Sequence, residues 1–501
     1  MKSAKVTQYY GTLFWLALLL LTVVTRFYDL GNKPIHFDES INGWFVIQMK
    51  SWGYYKYDPN NYHGPLLFYL IQVFEFLWGK SLETLRAVPA VFSVFSIMLF
   101  AFPVLKNRFV LTATSLLLLI SPAFLFFGRS GIHESPFVFF QLLFAMGFLR
   151  WFEKPDSKAW ALVLTGVVGM MTLKETFTIT GFCWLLGLLA LGPSTLKQTF
   201  SWTQLKRTWS KKTTLLTIVL LILFVQLFTG FFQNMTGLAD FAKAIVPWLK
   251  TGVHGKGHEK EFLYWVKVMW QAEPLALLGV ILSFAGLFSK QQSLRVLSVF
   301  SLSQLLIYSL IPYKTVWCIL SLVWGFYLVL AFYLQMLFAN TKMKVVSLAV
   351  VTVVSLFNLR SMYASSYAHP LDFDHPYIYV NSTYDLENLQ RFILDEARKR
   401  PELFLQPVQI GMKEQWPWPW VLRSFQSLDY NLCAKNLIEG ASIYFCDVTD
   451  GLDVDRALHE PYWKLQIVLR QSREPSIVYL KQSVFPKIPF QNNVEAVGGE
   501  E

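Results

Sequence analysis

Charge is what this sequence has least of: only 15% of its 501 residues are Asp, Glu, Lys or Arg, against roughly 25% in soluble domains. A soluble core could not absorb a chain that is 54% apolar and 17% aromatic, so lipid is the better solvent for it. Cysteine is scarce too, with four in the whole chain. Cys183 and Cys318 fall in apolar segments without metal-ligand spacing. Cys433 and Cys446 lie in the tail, where they either pair in an oxidising compartment or stay as thiols. No internal repeat, low-complexity tract or cleavable signal stands out, and the first apolar run reads as a retained span. The net charge of +11 comes from short basic groups between apolar runs. That is how topology is set, and it argues against nucleic acid as a partner.

What the chain does have is a series of apolar runs near the length that crosses a bilayer. Eleven are expected to span, at about 10–29, 85–105, 109–128, 136–152, 158–173, 176–192, 213–231, 275–289, 295–312, 316–337 and 343–360. The stretch 65–79 is shorter and carries Glu75, so it reads as a helix lying in the interface. With the N-terminus cytoplasmic, the inner segments hold 16 Lys and Arg in 53 residues, more than twice the density of the outer ones. Counting 65–79 as a span would put Lys197, Lys206, Arg207, Lys211 and Lys212 outside, against that bias. The expected fold is therefore an all-α polytopic membrane protein over 1–360, with a first outer loop at about 30–84. A small extracytoplasmic α/β domain follows over 361–501, with strands near 442–446 and 465–469 and a polar helix near 385–400.

In this topology the unusual polar residues gather on the outer face. They are Asp38 and Glu39, then Tyr62-His63-Gly64-Pro65, Arg129, His133 and Glu134, Lys174-Glu175, His254 and His258 to Lys260, Tyr313-Lys314, and Trp416-Pro417-Trp418-Pro419-Trp420. Each has an ordinary reading alone: a helix cap for Asp38-Glu39, a hairpin turn for Lys174-Glu175, an aromatic-belt anchor for Tyr313-Lys314. Together they are harder to dismiss, because ionisable groups at membrane depth mark functional sites. Cations at the lipid boundary can hold a lipid phosphate and stabilise it as a leaving group. A carboxylate can take the proton of an attacking hydroxyl. His63, Glu175, His254, His258, Tyr313, Trp416 and Trp418 suit sugar hydroxyls and ring faces. No cofactor is firmly implied; a divalent metal is compatible with Asp38, His63 and the 254–258 histidines, although no pair has firm ligand spacing.

These residues resemble the GT-C membrane glycosyltransferases, in the branch of protein O-mannosyltransferases and aminoarabinose transferases (glycosyltransferase family 39-like). Asp38-Glu39 after the first span is similar to that superfamily's signature, and His63-Gly64-Pro65-Leu66 to its (H/K)-P-P-L element, with Gly64 in place of the first proline. Lys174-Glu175-Thr176, Tyr313-Lys314-Thr315-Val316-Trp317 and Trp416 to Trp420 with Leu422-Arg423 resemble the flippase-activity-associated subfamily more closely. The resemblance runs from about 25 to 425 and implies a fold, an activity and roles. Asp38 would be the base, Glu39 would shape its loop, and Glu134 would be a second outer acidic residue. Lys174, Lys314 and Arg129 would contact the donor phosphate. Two departures are visible: the third-span motif is thinner in arginine than the family's, and Val316 stands where proline is expected.

The expectation is an inverting transferase in the cell membrane. It would move a sugar from a polyprenyl- or dolichyl-phosphate donor to a hydroxyl of a protein, lipid or polysaccharide on the outer face. The rival is a flippase, or a flippase-associated transport protein for lipid-linked sugars. That reading needs ionisable groups through the bilayer depth, which runs such as 109–128 and 213–231 lack in their interiors.

Overall fold

A computed structural model describes residues 2–255, 257–470, 475–490 and 494–498. The chain divides into two units: a helical one, 1–30 with 46–377, and a second one, 31–45 with 378–501. The boundary falls beyond the expected 360/361 because the chain from 361 to 377 stays bonded to the helices. Tyr367 Oη donates to the Thr25 carbonyl, Ser361 Oγ and His375 Nε2 lie 3.1 Å apart, and Tyr377 Oη donates to Glu273 Oε1 at 3.0 Å. The segment carrying Asp38 and Glu39 groups with the tail rather than with the helices.

Every one of the eleven expected runs is helical, as is Leu66–Trp78. Among the described residues six helices are both long and apolar enough to cross a membrane: Leu82–Ala101, Glu134–Glu153, Lys211–Phe228, Gln292–Leu310, Val316–Phe338 and Thr341–Ala368. Two further runs are bent, Arg108–Leu119 with Pro122–Arg129 by 65° and Phe177–Leu189 with Pro193–Thr208 by 107°. Local chemistry sets the starts. Ser81, Asn107, Ser121, Asp156 and Asn340 each cap a helix with a side-chain oxygen. Small residues then let helices close on one another. A Cβ on Gly166 would come within 2.7 Å of Phe144, so Glu134–Glu153 and Ser157–Met171 pack nearly backbone to backbone. Val316–Phe338 is the most enclosed span, whereas Lys211–Phe228 and Thr341–Ala368 are mostly exposed and present apolar faces suited to lipid.

The second unit is built on a six-stranded mixed sheet: β1 Pro407–Gly411, β2 Ser427–Asp429, β3 Ile443–Asp447, β4 Tyr462–Ile467, β5 Ser476–Lys481 and β6 Val494–Val497. The order is β2-β1-β3-β5-β4-β6, with β1 parallel to β2 and β3 and the remaining pairs antiparallel. The helix Tyr384–Lys399 buries Leu386, Leu389, Ile393 and Ala397, a stripe at helical spacing. Cys433 and Cys446 form a disulfide, so of the two alternatives open in the sequence the structure has the paired one.

Candidate functional site

In the helical unit, one group of buried charges sits where helices break. Thr172 ends Ser157–Met171 and the next helix starts at Phe177, leaving Lys174-Glu175 in a buried turn. The turn is held from outside by the Gly64-Pro65-Leu66 segment. Gly64 N donates to the Leu173 carbonyl and Leu66 N to that of Thr172, each at 3.0 Å. A Cβ at position 64 would lie 2.2 Å from the Thr172 oxygen, so this approach requires glycine. The departure from proline at Gly64 thus has a structural reason.

That seam brings together four side chains from three stretches of sequence. Lys174 Nζ pairs with Glu134 Oε1, and His63 Nδ1 meets Glu175 Oε2 at 3.1 Å. Burial works against the charge of Lys174, but Cys318 and the carboxylates of Glu134 and Glu175 more than offset it and hold the lysine well above its ordinary value. His133 joins the cluster, its ring 4.7 Å from that of His63. Burial, with His63 and Lys174 nearby, lowers its pKa well below the usual histidine range. Cys318 Sγ lies 3.9 Å from Lys174 Nζ and 3.4 Å from Thr315 Oγ1.

Thr315 follows the second lysine. Residues 257–260 and 312–314 pair as a short antiparallel bridge: Lys314 N donates to the His258 carbonyl and Lys260 N to that of Pro312, with the His258 and Tyr313 rings 4.8 Å apart. Lys314 Nζ donates to the carbonyls of Ile311 at 2.6 Å and Lys260 at 3.1 Å, two acceptors among the described residues for an ammonium with three N–H groups. Burial lowers the pKa of Lys314. His254 ends the helix Ile245–His254 and is exposed.

Arg129 is placed differently from the phosphate contact expected of it. Its Nη1 donates to the carbonyls of Thr25, Arg26 and Tyr28, and its Nη2 to that of Asp29. These are the open carbonyls at the end of Lys2–Phe27, so Arg129 serves the first helix as a C-terminal cap.

In the second unit Asp38 and Glu39 open the helix Phe37–Trp52 and have separate fates. Glu39 is fully buried, and its Oε2 accepts from the His36 backbone N–H at 2.8 Å. Asp38 is half-buried, its N–H donating to His36 Nδ1 at 3.1 Å. Among the described residues no side chain bonds its carboxylate. Trp416 stands edge-on to Trp44 at 6.1 Å, both half-buried. Trp418 is fully buried against Phe445, ring to ring at 4.2 Å, and is a core residue rather than a substrate platform.

Sequence alone gives too little weight to His133 and Cys318 and passes over Glu273. Glu273 stands immediately before Pro274 at the head of an apolar helix, a position that reads as an ordinary cap. Among the described residues no three His, Cys, Asp or Glu side chains are grouped to hold a metal ion.

No protein-family model matches the chain, and no curated protein does. Among solved structures it is similar to ArnT from Cupriavidus metallidurans bound to undecaprenyl phosphate, with a TM-score of 0.65 and 12% identity over 93% of this chain and 97% of that one. ArnT from the same organism in the apo state gives a TM-score of 0.63 and 11% identity over 96% and 99%. The fold is thus that of ArnT along essentially the whole of both chains.

Proposed function

We propose that the protein is a membrane glycosyltransferase that takes a sugar from a polyprenyl-phosphate donor. One observation carries the reading. In an ArnT-like fold, whose relative holds undecaprenyl phosphate, the Asp38 carboxylate is half-buried and bonded by no side chain among the described residues, while neighbouring Glu39 is committed to a cap. Such a carboxylate is ready to accept a proton.

In the proposed reaction the acceptor hydroxyl oxygen attacks the anomeric carbon. Its proton passes to Asp38, and the bond from that carbon to the phosphate oxygen breaks with inversion. Lys174 and Lys314 stabilise the departing lipid phosphate, each having N–H capacity beyond its present partners. Glu134 holds Lys174 protonated and in place. Glu175 orients His63, and with it contacts the donor. In the same proposal His254, His258 and Tyr313 contact the sugar, and Trp416 offers it a ring face. Arg129 is a structural member. We further propose eleven spans with a cytoplasmic N-terminus, which puts the second unit outside the cell membrane. Its disulfide supports that orientation, because such bonds persist in oxidising compartments. The acceptor is a protein, lipid or polysaccharide hydroxyl.

The test uses full-length protein in nanodiscs, supplied with polyprenyl-phosphate mannose, glucose or arabinose and an envelope extract as acceptor. Release of lipid phosphate from one donor is expected, lost in Asp38→Asn with folding intact. Near-wild-type release in Asp38→Asn removes the mechanism. No release from any donor transfers the weight to transport of lipid-linked sugars.

A further inference from the structure

The run 108–129 breaks between Leu119 and Pro122, and the backbone groups freed there need partners inside the protein. Glu273 supplies one of them from another part of the chain. Its Oε1 accepts from Ser121 Oγ at 2.8 Å and from the Ala123 N–H at 2.6 Å, both at the break. Tyr377 Oη adds a third bond to the same oxygen at 3.0 Å. The other oxygen, Oε2, accepts from Tyr327 Oη in the span Val316–Phe338 and from Asn358 Nδ2 in Thr341–Ala368 at 3.4 Å. Glu273 is completely buried, and all five of these partners are neutral donors.

Beyond the break the chain is enclosed and locally hydrogen-bonded. Every residue from 121 to 138 is buried. Ser130 Oγ donates to the Phe126 carbonyl at 3.0 Å, Ser130 N to that of Phe127 and Ile132 N to that of Ser130. Four residues beyond Ser130 stands Glu134, the partner of Lys174. The buried, bonded segment is a continuous packed connection from Ser121 to the ion pair.

We infer that Glu273 is a positioning residue: it clamps the bend at Ser121–Ala123 against two other spans and so fixes where Glu134 presents itself to Lys174. The inference rests on the proposed function only in taking that ion pair as part of the donor side.

The two carboxylate oxygens make it testable, because one faces the break and the other the neighbouring spans. Ser121→Ala acts at the break alone and Glu273→Gln on both oxygens; Tyr327→Phe and Asn358→Ala remove bonds to the oxygen that faces the other spans, Asn358→Ala also freeing the Leu275 N–H. In full-length protein in nanodiscs the readouts are the melting midpoint, kcat and KM for the lipid donor, and the alkylation rate of the Cys318 peptide. The last needs no substrate, since Cys318 Sγ lies beside Lys174 Nζ. Ser121→Ala and Glu273→Gln are expected to change Cys318 alkylation several-fold and to lower kcat/KM by up to about a hundredfold, as small misplacements of reacting groups do. Tyr327→Phe and Asn358→Ala should lower the midpoint while leaving both rates within about twofold of wild type, acting through stability alone. Glu273→Asp should restore part of the alkylation behaviour. Rates that follow the melting midpoint across all variants, or that change in none, overturn the inference. A protein that turns over no donor defeats the proposed function while the alkylation result still decides this one.

Discussion

Glu134 and Glu273 are carboxylates of the same helical unit, both almost wholly buried, and they are stabilised in opposite ways. Glu134 has a cation, Lys174, with a second carboxylate and two imidazoles close by. Glu273 instead collects five neutral donors from the break in one span, from two further spans and from Tyr377, and among the described residues it forms no ion pair. The difference is one of bonding. A carboxylate satisfied by dipoles on every side is a joint, since nothing can approach it without breaking a bond. One matched to a flexible lysine leaves that lysine with hydrogen-bonding capacity, and the pair can be shared with an incoming anion.

The contrast between the two carboxylates is broken most severely at the lysine. Lys174→Met strands Glu134 as a buried anion, and a loss of about 3–5 kcal/mol is expected. Adding Glu134→Gln should recover most of the melting temperature and none of the turnover. A double variant no more stable than the single one would mean that the pair is not what Glu134 is there for. Next in size is Gly64→Ala, which drives a methyl group into the Thr172 carbonyl and forces the seam apart. A loss of about 1–3 kcal/mol is expected, with donor turnover falling further than stability because His63 leaves Glu175. Unchanged turnover would remove His63 from the site.

The smallest effect sharpens the Glu273 side. His375 lies beside it in the network, with Nδ1 accepting from the Tyr377 N–H at 3.3 Å, and it is accommodated by giving up its charge. Burial lowers its pKa from 6.5 to about 4. The unfolded chain therefore binds this proton first as pH falls. Stability from this residue is intact above pH 6.5 and is lost on acidification from 6.5 towards 4. Its contribution across that window is about 1–2 kcal/mol, less than the full shift implies because the ring is not wholly enclosed. A melting midpoint followed over this range should fall less steeply in His375→Gln, and identical slopes would show that the ring is free to ionise.

The helices were legible in the sequence because apolar runs are a local signal. So was the turn at Lys174-Glu175, where charge interrupts what would otherwise be one continuous span. The partners were not. His63 and Glu175 are 112 residues apart, and no periodicity connects them. Arg129 was expected to hold a phosphate because it stands at an outer helix end. The open carbonyls of the first helix are an equally good partner for a guanidinium, and pattern alone does not distinguish them. Asp38 and Glu39 form one motif in sequence, yet the capping geometry takes one carboxylate and leaves the other. The tryptophans alternate with proline as a uniform run, but Trp418 turns into the core and Trp416 does not.

The missing side chain at Gly64 also fixes when this region can be assembled. Its backbone bond to Leu173 joins the beginning of the helical unit to a turn that emerges from the ribosome only after several helices have been made. Until Ser157–Met171 and the turn after it have been synthesised, the His63 segment lacks the Thr172 and Leu173 carbonyls that fix its register. The histidine is thus among the first candidate residues translated and cannot be among the first to be seated, a non-local closure of the kind that slows folding. Truncated chains that stop before Leu173 would carry His63 without the register that gives it a partner.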